Sequence, residues 1–322
     1  MLKTKWKSRL AALALACVPA LALAGCGAGQ KTTLNIAQQF GVAYAPLEIM
    51  KANGILDKYL PAGVTANWQQ FGGPTAIREA MLAGDVDFGF MGVAPVIVGA
   101  AGGMEWRYAT GISRNQVAIT TTKPEVKRLA DFLPTDRIAV ISPACTQHVL
   151  LCMAARQELG DGRALDNQLV AMSLPDAANA LISGTEIVGD VSTPPYLQKE
   201  LENDAHILYE GTELMGGPFT MISGVAMERF YKDYPALYEA FLSALQESVD
   251  YINDHMDEAA AQLAPVYGIT EQELKEQMDY NGCIYNTELL GVEKFAQAMY
   301  EMGFVDKQLT MEELAFPNVK YQ

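Results

Sequence analysis

The sequence predicts an α/β protein in two lobes, each a mostly parallel sheet flanked by helices. Three observations carry this. Short strand-type runs, TLNIAQQ (33–39), VTANWQQF (64–71) and DVDFGFMG (85–92), are each followed by a helical run, the order that builds parallel sheets. Each junction has one form, a glycine at the strand end and then a proline that opens the helix: Phe40-Gly41 to Pro46, Phe71-Gly72-Gly73-Pro74, and Met91-Gly92 to Pro95. The same plan then restarts in mid-chain with RIAVIS (137–142).

At the N-terminus, Lys3, Lys5, Lys7 and Arg9 precede the apolar run LAALALACVPALALAG, which ends at Gly25. That is the shape of a secretory signal rather than a membrane span. Residues 1–25 are therefore expected to be removed, and 26–32 to act as a short linker. The removed piece carries four positive charges and no negative ones, so the formal net charge moves from −15 to −19. A protein this acidic does not hold nucleic acid through its general field, and an anionic ligand would need local donors.

In the first part of the chain, the helix opened by Pro46 ends near Asn53-Gly54, the one opened by Pro74 stops at Gly84, and the one opened by Pro95 runs towards Gly102. In the second lobe Pro143-Ala144-Cys145-Thr146 leads into QHVLLCMAARQELG, with Thr146 as the expected N-cap. NQLVAMSL, the helix DAANALISG and the strand IVGDVSTPPY follow. The last third reads as helical. Tyr238, Phe241, Leu242, Leu245, Val249 and Ile252 keep one helical face apolar, and Thr270 with Glu273 and Thr310 with Glu313 form capping boxes.

In open parallel sheets, ligands bind beyond the carboxyl ends of the strands. The three glycine turns thus predict a cradle of helix N-termini around one crevice. Its expected contacts are Phe40, Gly41, Tyr44, Gly72, Gly73, Pro74, Gly92 and Val93, joined from the middle turns by Cys145, Thr146, Thr193 and Tyr196. FGGPTAIR lacks the lysine of a catalytic phosphate loop, which favours a held solute over a reacting phosphate. Arg114, in GISRNQ, is a candidate for an anion. Asp190, late in its strand, is a candidate for a ligand amine.

Of five cysteines, Cys17 lies in the signal, and Cys145, Cys152 and Cys283 are too few for a disulfide framework. Cys145, His148 and Cys152 share one helix face and could together ligate zinc, but the apolar neighbours of Cys152 point to core packing. His148 is instead expected to touch the solute or the other lobe. Neither a nucleophile elbow nor a metalloprotease motif is present, so neither catalysis nor a cofactor is expected.

Several stretches together resemble the solute-binding proteins of ABC importers, in the family for nitrate, alkanesulfonate, taurine and thiamine-pyrimidine precursors. These are AYAPLEIMKANGIL, FGGPTAIREAMLAGDVDFGFMG, SPACTQHVLL, STPPY and FAQAMYEMGF. Leu23-Ala24-Gly25-Cys26 likewise resembles a bacterial lipobox, which implies a lipid on Cys26. The resemblance implies the type II periplasmic-binding-protein fold, with crossings near 115–123 and 219–227, lobe one at 33–117 plus 224–322, and lobe two at 118–223. It implies a monomer that closes on one small solute and docks on a permease with its ATPase. Some proteins of this fold are enzymes of pyrimidine-precursor metabolism, which is the alternative activity; a metal-binding module is the other. Two departures stand out. Cys145-Thr146 replaces the usual Gly-Ser/Thr pair, and Val188-Gly189 replaces the usual Asp-Ala before Asp190.

Overall fold

The protein is described here from a computed structural model that covers residues 31–279 and 283–322. The signal segment, its cleavage site and Cys26 lie outside the described residues. Among the described residues no helix is long and apolar enough to cross a membrane.

The chain opens with three strand–helix units. Strand β1 (Thr33–Gln38) leads through a single 3-10 turn at Val42–Tyr44 into α1 (Ala45–Ala52). Then come β2 (Thr65–Gln70) with α2 (Pro74–Ala83), and β3 (Phe88–Gly92) with α3 (Val93–Ala101). Strand β4 (Trp106–Arg114) ends this stretch. The second sheet gathers β5 (Ala118–Thr121), β6 (Ile138–Val140), β7 (Leu169–Ala171), β8 (Gly189–Ser192) and β9 (His206–Glu210). Its helices are α4 (Thr146–Leu159), α5 (Leu174–Ser183), α6 (Tyr196–Leu201) and α7 (Gly211–Met215). The chain then returns through β10 (Ile222–Met227), α8 (Glu228–Asp233), α9 (Pro235–Asp254), α10 (Met256–Tyr267), α11 (Glu271–Met278), β11 (Ile284–Tyr285), α12 (Val292–Glu301) and α13 (Met311–Leu314).

The strand orders are β11-β4-β10-β3-β1-β2 and β7-β6-β8-β5-β9. Strands β1, β2 and β3 pair in parallel, as do β6, β7 and β8. Besides β4, which is antiparallel to both β10 and β11, two strands run against their neighbours on both sides: β10 between β3 and β4, and β5 between β8 and β9. These are the strands that receive the chain from the other lobe. The chain leaves the first sheet at the carboxyl end of β4, crosses at residues 115–117, and enters β5 from the same side. It returns through residues 216–221 into β10 in the same way. A strand entered from the carboxyl ends of its neighbours must run antiparallel to them. Strand β10 pairs within the first sheet from Ile222.

The core of the first lobe is built on β3, whose five residues are all buried. Phe88 and Phe90, two apart and so on one face, both meet Phe241 of α9; Phe88 stacks on it at 4.2 Å and also touches Phe230 and Tyr238. The apolar stripe on α9 is thus a core face. Trp106 and Tyr108 of β4 are fully buried and donate to the Val96 and Val93 carbonyls, so these two aromatics belong to the core. Both capping boxes form, at Thr270 with Glu273 and at Thr310 with Glu313.

Phe88→Ala would empty the centre of this cluster. It is expected to cost about 3–5 kcal/mol in urea unfolding, where a loss under about 1 kcal/mol would mean that the β3–α9 contact is not the keystone of the lobe.

Candidate functional site

The carboxyl ends of both sheets face one cleft. From the first lobe it is lined by Gln39, Phe40, Tyr44, Pro74, Gly92 and Asn115, and from the second by Ile141, Cys145, Gln147, Leu174 and Thr193; Met221 lies on the return crossing and Ile222 opens β10. Its free volume is about 20 Å³. That is room for about a water molecule, far below the roughly 300 Å³ of a small-molecule site, so loading requires the lobes to part. A wider vestibule of about 330 Å³ adjoins it, lined by Phe40, Gly41, Tyr44, Tyr196 and Tyr267 among others.

The cleft closes with glycine backbone of the first lobe against the second lobe, mostly against its side chains. Gly92 is where a Cβ would come within 2.3 Å of the Thr146 hydroxyl oxygen. That hydroxyl accepts the Ala94 N–H at 3.1 Å, so a side chain of lobe two caps α3 of lobe one. At Gly73 a Cβ would lie 3.0 Å from Ile141 Cγ2. Gly41 sits at φ +126°, and the next residue, Val42, donates its N–H to the Pro194 carbonyl at 3.1 Å. Gly72 comes close to Ser173.

At α4 the structure corrects the expected cap. Cys145, not Thr146, is the N-cap, and its sulfur accepts the His148 N–H at 3.4 Å. Thr146 is the first helical residue, which frees its hydroxyl to reach across the cleft. Burial pushes the Cys145 thiol up, against several backbone N–H bonds that pull it down. A buried, protonated thiol is a poor nucleophile.

His148 lies behind the cleft rather than in it. Its Nδ1 accepts the Ala144 N–H at 2.9 Å, and its Nε2 is 3.1 Å from Asp166 Oδ1. Burial lowers the His148 pKa, with Asp166 opposing it. Cys152 Sγ lies 3.8 Å from the same Asp166 oxygen, and burial, aided by Asp166, pushes this thiol up to about 12. His148, Cys152 and Asp166, rather than Cys145, form the one candidate metal cluster among the described residues, with ligand atoms within 4.8 Å of one another. The hydrogen bonding argues against a metal there. With Nδ1 accepting a backbone N–H, the neutral ring carries its proton on Nε2 and donates it to Asp166, so neither nitrogen has a free lone pair. Arg163 completes the group: it pairs with Asp166 at 3.0 Å and lies 3.7 Å over the Phe304 ring of lobe one.

Asp190 is not among the cleft-lining residues. It is buried on β8 with Oδ1 accepting the Val191 N–H, while Oδ2 has no partner at hydrogen-bond geometry. Glu200 on α6 stands beside it, accepting from Ser192 and Thr120 at 2.7 and 2.8 Å. Burial first, and then the Glu200 charge, push the Asp190 carboxyl well above the usual carboxylate range. Burial raises the Glu200 carboxyl too, so Asp190 faces a second buried carboxyl and not a ligand position in the cleft. Arg114 faces a separate pocket on the hinge side with Glu210 and Glu213, and Val93 packs behind the cleft under Tyr108. The sequence reading missed Gln39, Asn115 and Gln147, of which the strand-end position of Gln39 and the crossing position of Asn115 were readable signals.

Two α/β lobes joined by two crossings, with a cleft at the strand ends, define the binding-protein fold. A model of the NMT1-like family matches residues 27–267, and the chain belongs to that family. A Bacillus subtilis (strain 168) protein assigned as an aliphatic sulfonates-binding protein is 23% identical over 310 residues, which cover 91% of this chain and 90% of that one. The alkanesulfonate-binding protein SsuA from Xanthomonas axonopodis pv. citri, solved with MOPS bound, superposes with a TM-score of 0.71 at 17% identity, over 92% of this chain and all of that one. The periplasmic nitrate-binding protein NrtA from Synechocystis PCC 6803 does so at 0.67 and 12%, over 86% of this chain and 83% of that one.

The geometry sets two expectations. Gly92→Ala should hold the lobes apart and weaken solute binding about tenfold or more. With cargo present, small-angle scattering should show the wild type closed and Gly92→Ala open; a closed Gly92→Ala would place the seal elsewhere. Second, Asp190 holds its proton more tightly folded than unfolded, so its contribution to stability is present at low pH and lost as pH rises. Asp190→Asn should raise the melting temperature by a few degrees at pH 8 and by less at pH 4; an equal shift at both values would refute the buried proton.

Proposed function

We propose that the protein is the extracytoplasmic solute-binding component of an ABC importer, which traps one small solute between its lobes and presents the closed form to a permease and its ATPase. The observation that carries this reading is the cross-lobe seal at Gly92, Ala94 and Thr146, a contact that exists only when the lobes are shut. Such a seal converts solute binding into a closed shape, which is what a capture protein must signal. The family membership and the shared fold support it. The sulfonate- and nitrate-binding relatives suggest cargo of that size, with an aminopyrimidine-like solute as the third candidate from the sequence. The buried thiols of Cys145 and Cys152 are both pushed up, which makes them poor nucleophiles. Cys26, in its lipobox-like setting, would anchor a monomeric body to the cell membrane.

Uptake in the native cell tests the reading. Deleting the gene should abolish import of the cargo, wild-type protein should restore it, and Gly92→Ala should not, although it still reaches the membrane. Full uptake with Gly92→Ala would sink the closure mechanism. Cys26→Ser should release the protein from the membrane fraction with solute affinity unchanged.

A further inference from the structure

We propose that the pocket behind the two crossings is a second binding site, for a small zwitterion with an apolar body such as an α-amino acid with an aliphatic side chain, and that filling it favours the closed lobes. The site is separate from the cleft, and the proposal does not depend on which solute the cleft holds.

This pocket is where the closed molecule has room. It measures about 480 Å³, within the usual range of a small-molecule site, against about 20 Å³ in the cleft. Its polar groups come in two sets. Arg114, at the end of β4, brings a guanidinium whose Nε is buried without a partner. Burial lowers the Arg114 pKa, and Glu288 opposes this through its charge alone. Gln116 is only 5% exposed; it gives its Nε2 to Glu210 Oε1 at 3.1 Å, and its Oε1 has no partner. A buried acceptor without a donor is costly unless a ligand supplies one. Glu210 and Glu213 line the same pocket and add negative charge beside that acceptor. A simple anion would pair with Arg114 but meet two carboxylates, and a simple amine would leave the guanidinium unpaired. A zwitterion answers both sets at once.

The rest of the wall is apolar. Val117 and Phe219 close over the bare backbone of Gly211, where a Cβ would come within 2.4 Å of one and 3.2 Å of the other. Ile284 is 41% exposed, and an aliphatic ligand body would cover it.

The strand order links the pocket to closure. The cleft is lined from the ends of β1, β2 and β3 and of β6, β7 and β8, whereas the pocket is lined from β4 and β11 and from β9 and α7, towards the other edge of both sheets. The crossings run between the two, and Asn115 on the first of them touches both. Bending about the crossings that widens the cleft therefore narrows the pocket. A ligand held in the pocket binds the closed form better and shifts the lobes towards it.

Calorimetric titration of the exported protein in mild detergent at neutral pH, with L-leucine as the probe, tests the site. Leucine should bind about tenfold or more tightly than 4-methylpentanoate, which lacks its amine, and than 3-methylbutylamine, which lacks its carboxylate. Arg114→Gln and Gln116→Met should each weaken leucine by about tenfold or more. Saturating leucine should also shrink the radius of gyration of the wild type in small-angle scattering, and leave that of Arg114→Gln unchanged. No binding of leucine, or equal binding of either fragment, overturns the inference. Leucine binding that survives Arg114→Gln but is lost in Gly92→Ala would put the ligand in the cleft and overturn it as well. Binding at the pocket without compaction overturns the link to closure.

Discussion

Everything at the cleft depends on one hydrogen bond, from the Ala94 N–H at the start of α3 to the Thr146 hydroxyl at the start of α4. A helix N-terminus must satisfy its free donors somehow, and most do it from their own chain segment. Here the cap belongs to the other lobe, so α3 is fully satisfied only when the lobes meet. Gly92 makes the approach possible, because any side chain would occupy the space of the hydroxyl. The position of Thr146 depends in turn on Cys145, which caps α4 with its sulfur and leaves the neighbouring hydroxyl free to reach across.

The sheets are arranged to deliver these turns to one place. All carboxyl ends of the parallel strands face the cleft, and a chain that crosses there must run backwards through the next sheet. That requirement explains β5 and β10 without any appeal to their sequences. It also places Asn115 directly on the first crossing and Met221 on the second, so hinge residues line the site as well as joining the lobes.

Much of this was readable in the sequence, for definable reasons. The strand–glycine–proline–helix junctions are local, and they specified the first three units and the turns at Phe40, Pro74 and Gly92. The α9 stripe and the two capping boxes are local as well. Strands β4, β5, β9, β10 and β11 were not anticipated as strands; β5 and β10 take their direction from the tertiary crossings rather than from alternation. The side chains behind the cleft were misread for a related reason. Asp190 and His148 have the chemistry of ligand groups, yet the face each one shows depends on the element packed against it. Burial, with Glu200 of α6 beside it, raises the first carboxyl, and the Ala144 N–H with Asp166 turns the second into a brace.

That brace links the cleft to the far side of the molecule. Ala144 holds a positive φ of 58° in the turn before Cys145, and its N–H is tied to His148 Nδ1. His148 is tied to Asp166, Asp166 to Arg163, and Arg163 lies on Phe304 of the opposite lobe. The Arg156–Glu301 pair at 3.0 Å runs alongside. The turn that presents Cys145 and Thr146 is therefore held by groups that themselves touch lobe one. Opening the cleft must strain or release this outer contact, which ties the exact placing of the Thr146 hydroxyl to the relative position of the lobes. A charge on His148 would remove the Nδ1 acceptor that the Ala144 N–H needs. Burial lowers the His148 pKa and so keeps the ring neutral, and the cleft turn in register, at ordinary pH.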